Sequence, residues 1–152
     1  MSEKRIIPNE IMLPEVTRLL SEGNSVIIMT KGTSMLPFII GDRDSVELVA
    51  KGKYVAGDIV LAKIAESRWV LHRIIDISGE NVLLKGDGNL DSTERCTVGD
   101  VAGAVRFIIG PRGRKKDASA PGFVRRSGCW RKLPRIVRRY SLGVFRRIIK
   151  LI

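Results

Sequence analysis

Between residues 25 and 109, apolar positions come in short runs rich in Val and Ile, separated by Gly, Asp, Asn and Ser. Six runs, at 25–30, 45–50, 58–64, 69–77, 80–85 and 100–109, predict six strands. Ser78-Gly79-Glu80-Asn81 suits a hairpin connection. Many short strands at close spacing predict a mainly β fold, a small folded-over antiparallel sheet or barrel. At both ends the period becomes helical. In 9–23, Ile11, Leu13, Val16, Leu19 and Leu20 form an apolar stripe, with Asn9 placed to cap and Gly23 to stop a short helix. From Trp130 onward, Trp130, Leu133, Val137, Tyr140, Val144, Ile148 and Leu151 share one face, and Arg131, Arg135, Arg138, Arg139, Arg146, Arg147 and Lys150 lie on the others. Pro134 fits a first turn, so the continuous helix is expected to begin there. Between sheet and helix, Gly110, Pro111, Gly113, Pro121, Gly122 and Gly128 read as a linker. The expected organisation is a β domain over 1–110, a basic linker over 111–129 and a basic amphipathic helix over 130–152.

A chain of 152 residues, 44 % hydrophobic, can bury one core and little more. Its net charge of +11 is unevenly spread. Residues 112–150 hold fourteen Lys or Arg and one acid, Asp117, whereas residues 1–110 hold thirteen Lys or Arg and fifteen acids. A slightly acidic body thus carries a strongly basic tail, which points to an anionic partner. For the tail helix a membrane surface is expected first, packing of its apolar face on the body second and nucleic acid third, since arginines interleaved singly with apolar residues favour an interface over a phosphate groove. Cys96 and Cys129 match no metal spacing and read as two reduced thiols. A single histidine excludes a multi-histidine metal site, and no cofactor is implied. The charged start Met1-Ser2-Glu3-Lys4-Arg5 is not that of a signal peptide, and nowhere do eighteen apolar residues run together. A cytoplasmic location, peripheral on the inner face of the membrane, is the expectation.

Lys31-Gly32-Thr33-Ser34-Met35-Leu36-Pro37 follows the first strand run. Gly32 and Pro37 end regular structure, so Ser34 is held at a bend, where a nucleophile can face a cleft. A serine hydroxyl needs a base. The only histidine, His72, lies in the run Trp69-Val70-Leu71-His72-Arg73-Ile74-Ile75, sharing a face with Val70 and Ile74. An unperturbed imidazole, with a pKa near ~6.5, is available as a base at neutral pH. An acid should orient it, and Lys85-Gly86-Asp87-Gly88-Asn89-Leu90-Asp91 offers Asp87 and Asp91 in one turn. Each motif alone also has a plain reading, as a turn, a packed histidine or a loop. Their joint occurrence in this order carries the weight.

Gly32-Thr33-Ser34-Met35-Leu36-Pro37, Gly41-Asp42, Gly57-Asp58-Ile59-Val60, Leu71-His72-Arg73-Ile74 and Lys85-Gly86-Asp87-Gly88-Asn89 resemble the successive boxes of the type I signal peptidase and LexA-like serine peptidases. The resemblance covers about residues 26–108 with the boxes in order. It implies a β-rich peptidase fold. Bacterial signal peptidases and LexA-type proteins have a lysine at the His72 position, and His-Arg there is similar to the archaeal and endoplasmic-reticulum branch. In that branch Ser34 is the nucleophile and His72 the general base. Asp87 matches the first aspartate of the glycine-aspartate box. Asp91 is the nearest match to the second, at a shorter spacing, and Gly88 stands where asparagine is usual. Asp91 is preferred over Asp87 as the orienting acid. The Ser34 N–H is expected to contribute to an oxyanion hole.

The family usually carries an N-terminal membrane anchor, which this sequence does not display, and the basic C-terminal helix is the expected substitute. The leading expectation is a serine endopeptidase acting on a peptide or protein by a Ser34–His72–Asp mechanism. LexA-like self-processing or maturation of one dedicated partner is the second. A non-catalytic module binding membrane or nucleic acid through the basic tail is the third.

Overall fold

The computed structural model describes residues 4–5, 9–66 and 68–151. Nine strands form one sheet: β1 (Lys4–Arg5), β2 (Val26–Met29), β3 (Ser45–Val49), β4 (Ile59–Ala65), β5 (Arg68–Ser78), β6 (Asn81–Lys85), β7 (Glu94–Thr97), β8 (Val101–Ile109) and β9 (Lys115–Asp117). The order is β1-β2-β3-β8-β4-β5-β6-β7, with β9 added on β8. Every pairing is antiparallel except β1 with β2. Register shifts interrupt β3–β8, β4–β5, β4–β8 and β5–β6. Such bulges bend strands and raise their twist, but the sheet remains open. The mainly β expectation holds in this coarse form.

All six expected strands are present within two residues of their expected ends. The hairpin between β5 and β6 turns at Gly79, whose φ of 60° suits glycine. Three strands went unread. Glu94–Thr97 is short and half charged, Lys115–Asp117 is wholly polar, and Lys4–Arg5 is two residues long.

Because side chains alternate across a strand, the central strands feed two cores. Ile59 and Leu61 of β4 join Val26, Ile28, Val46, Leu48, Val105 and Ile108 under the helix α1 (Asn9–Ser21), which contributes Leu13, Val16 and Leu20. Val60 and Ala62 face the other way, onto Ile74, Val82, Leu84 and Ala104. α1 approaches β8 closely at Gly103, where a Cβ would lie 2.9 Å from Leu20 Cδ1. The helix ends as expected: Gly23 takes φ 91° and its N–H donates to the Leu20 carbonyl. The side chains of Asn9 and Ile11 lie outside the described residues.

The tail departs from expectation. Residues 111–129 are not a linker: they contain β9 and most of a second helix, α2 (Pro121–Lys132). Pro121 stands at the first helical position, where its missing N–H costs nothing, so a residue read as a breaker is a start signal. Phe123, Ser127 and Trp130 are buried at helical spacing. Leu133 and Pro134 then separate α2 from α3 (Arg135–Leu151). The break at Pro134 was expected; a helix starting at Trp130 was not found, and Trp130 belongs to the buried face of α2. Together α2 and α3 build a third core in which Trp130 and Leu142 meet Leu36 and Ile40, with Phe38, Leu90, Phe145 and Ile149 around them. Among the described residues, no helix is long and apolar enough to cross a membrane.

Candidate active site

The Ser34 turn connects β2 to β3, and its base is tightly closed. Thr30 N–H and Oγ1 donate to the Asp44 carbonyl at 3.1 and 2.7 Å, and the Ile40 N–H donates to Asp44 Oδ2 at 2.9 Å. Gly32 and Gly41 cross at the neck: a Cβ on Gly41 would stand 2.2 Å from the Gly32 carbonyl oxygen. Only glycine permits that approach at position 41, and Gly32 takes φ 80°, so each box has its own physical reason for glycine. Ser34 is half-buried on this turn, as expected.

The loop after β6 is fitted against the same turn. The Gly88 N–H donates to the Ser34 carbonyl at 2.8 Å. A Cβ on Gly86 would meet the Ser34 carbonyl oxygen at 2.3 Å, and one on Gly88 the Thr33 carbonyl oxygen at 2.5 Å. Asp87 is 5 % exposed and binds Arg73 in two places, Oδ1 accepting from Nε at 2.9 Å and Oδ2 from Nη2 at 2.7 Å. Arg73 Nη1 also donates to the Gly57 carbonyl at 2.9 Å, and Trp130 Nε1 donates to the Asp87 carbonyl at 2.9 Å. The glycine-aspartate loop therefore joins β5, the Ser34 turn and α2.

His72 sits on β5 opposite Val60 of β4 and is buried. β6 ends at Lys85, opposite Arg73, so His72 has no partner on that strand. Glu94 of β7, paired with Leu84 of β6, brings Oε1 to 2.5 Å from His72 Nδ1. The two side chains are 7 % and 11 % exposed. An ionised carboxylate only accepts, so Nδ1 carries the proton and donates, and Nε2 is left as the basic nitrogen.

Neither expected acid reaches the histidine. Asp87 is committed to Arg73, one residue along β5 and directed elsewhere. Asp91 lies on the surface, paired with Arg135 of α3 through contacts of 2.6 and 2.9 Å. That hydrogen bond lowers the Asp91 pKa and raises that of Arg135. The carboxylate at His72 is Glu94, in a strand the sequence pattern did not reveal. The available signal was the alternation Glu94-Arg95-Cys96-Thr97, in which Glu94 and Cys96 are half-buried and the other two exposed.

Ser34 and His72 line one cavity of about 180 Å³, with Thr30, Lys31, Gly32 and Met35 on the serine side and Trp69, Val70 and Leu71 on the histidine side. A half-buried hydroxyl, a buried imidazole and a carboxylate fixing its tautomer are the elements of nucleophilic acyl transfer. No protein-family model matches the chain, and no curated protein matches it.

Proposed function

We propose that this protein is a serine endopeptidase of the signal peptidase and LexA-like type, with Ser34 as nucleophile, His72 as general base and Glu94 as the orienting acid. One observation carries the reading: Ser34 and His72 line a common cavity while Glu94 occupies Nδ1 of the imidazole. The fold assignment draws support from the motif boxes, which are separate in sequence but meet in space. Gly41 abuts Gly32, Gly86 and Gly88 abut the Ser34 turn, and Arg73 binds both Asp87 and the Gly57 carbonyl.

In this mechanism Ser34 Oγ attacks the scissile carbonyl and its proton passes to His72 Nε2. Glu94 stabilises the imidazolium that forms. The same nitrogen then protonates the leaving amine, and water hydrolyses the acyl-enzyme by the reverse transfer. The Ser34 N–H serves as one oxyanion donor. A peptide substrate is favoured by the edge of β5. β6 pairs with it only from Arg73 onward, so among the described residues the edge from Arg68 to His72 has no strand partner on that side. A substrate main chain can pair there beside the cavity.

The test is incubation of the full chain with a proteome-derived peptide mixture, new termini being read by mass spectrometry. Cleavages made by the wild type should vanish in Ser34→Ala and in His72→Ala. Persistence of the same cleavages in either variant refutes the assignment.

A further inference from the structure

α3 has two apolar sides. One, formed by Leu142 with Phe145 and Ile149, packs against Leu36, Ile40 and Trp130. The other carries Val137, Tyr140, Val144, Ile148 and Leu151, spaced three and four apart, and all five are exposed, Tyr140 at 76 % and Leu151 at 88 %. At about 100° per residue, this second stripe is centred roughly 130° around the helix from the packed one. Docking a helix on a protein body uses one stripe, so folding explains the first and not the second. A run of large exposed apolar side chains on a folded chain marks a contact surface.

The charges beside the stripe identify what it meets. α3 contains six Lys or Arg and no Asp or Glu. Arg135 is paired with Asp91. By helical spacing exposed Arg147 borders the stripe next to Tyr140, while exposed Lys150, Arg139 and Arg146 lie further round on the flank between the stripe and the packed side, Arg139 and Arg146 beside the loop that holds Gly88 and Asp91. Docking of a second copy through this face would bring cation against cation. Nucleic acid would match the arginines but leave the five apolar side chains in water. An anionic bilayer surface matches both, taking the apolar stripe at the acyl boundary and the cations among the headgroups.

We propose that the outward face of α3 binds an anionic membrane surface, the helix lying in the interfacial plane. The proposal does not depend on the chemistry of Ser34. It has a structural consequence for the cleft. The inward face of α3 packs on Leu36 and Ile40 of the Ser34 turn, so the membrane would lie about one helix diameter, ~10 Å, from the wall of that turn.

The test uses the full chain carrying Ser34→Ala and flotation with vesicles of phosphatidylcholine, alone or with about one-third phosphatidylglycerol. Flotation is expected only with the anionic vesicles and should weaken as salt rises. Val144→Ser with Ile148→Ser should lower the apparent affinity at least ~10-fold. Arg139→Gln, Arg146→Gln and Lys150→Gln together should lower it roughly 100-fold, about five-fold for each cation. All these residues are exposed, so the thermal midpoint should stay unchanged; if a variant unfolds, the wild-type salt titration and lipid preference still decide. Absence of flotation, equal flotation on neutral vesicles, or indifference to both sets of substitutions in folded protein overturns the proposal. So does tight duplex DNA binding that survives the serine substitutions, or a dimer that Ile148→Ser dissociates.

Discussion

Replacing Glu94 by glutamine keeps the length and shape of the side chain and removes its charge. The Nδ1–Oε1 distance is 2.5 Å and both side chains are close to fully buried, so solvent screens the pair poorly. Two unit charges about 4 Å apart interact by ~4 kcal/mol at an effective dielectric constant of ~20. A hydrogen bond to a charged group contributes about 1.5–3 kcal/mol on its own, and the two figures overlap. An imidazolium that loses this carboxylate is therefore raised by about 3–5 kcal/mol relative to neutral imidazole. That charge develops only as Ser34 is deprotonated, so the loss falls on the chemical step: about 100- to 10,000-fold in rate. The assay is single-turnover acylation by a p-nitrophenyl ester, with the adduct located on Ser34 by peptide mass, so no natural substrate is needed. Asp91→Asn is the control, since its exposed ion pair with Arg135 is remote from the imidazole, and it should acylate like the wild type. Acylation of Glu94→Gln within about three-fold of wild type, with Asp91→Asn equally active or slower, would refute the role given to Glu94.

Asp87→Asn should cost about 3–5 kcal/mol in urea unfolding, because it leaves the buried Arg73 guanidinium without its counter-charge; replacing both partners by apolar residues of similar size should recover much of that loss. Gly86→Ala should slow acylation although Gly86 is not part of the proposed catalytic group. Its Cβ would stand 2.3 Å from the Ser34 carbonyl oxygen and force the turn to move, at a cost of about 1–3 kcal/mol in stability. Burial, with a smaller contribution from Asp100, pushes the Cys96 thiol up to about 11. At pH 8 only about one molecule in a thousand would then carry the thiolate, so a maleimide should label exposed Cys129 first and reach Cys96 only as the pH approaches that value or the chain unfolds.

Much of the fold was legible because its strands obey simple patterns. Val26–Met29, Ile59–Ala65 and Val101–Ile109 are apolar runs bounded by turn residues, and they occur where the pattern puts them. The tail was misread because glycine and proline carry different meanings by position. Pro121 opens α2, and Gly122 and Gly128 lie within it with open space around them, so composition alone suggested a linker. What fixes α2 to the body is Phe123 against Phe38, ring centroids 5.5 Å apart, and Trp130 reaching the Asp87 carbonyl. These are contacts between residues far apart in sequence, and no local period announces them.

The candidate site divides along the same line. Residues whose role is to bring backbones together stand out in sequence, because close approach admits only glycine and a buried guanidinium demands an acid. Gly41, Gly86, Gly88, Arg73 and Asp87 are of this kind. Their prominence made Asp87 look like a partner of the histidine, when its carboxylate is consumed in holding the strand of His72 to the loop packed on the Ser34 turn. Glu94 is under no such backbone constraint. It needs only to stand opposite Leu84 near the end of β6, where its side chain can cross to His72. An acid placed by strand register in three dimensions leaves no spacing to read. The residues most conspicuous in the chain are therefore the frame of the site, and the one whose carboxylate meets His72 is among its least conspicuous.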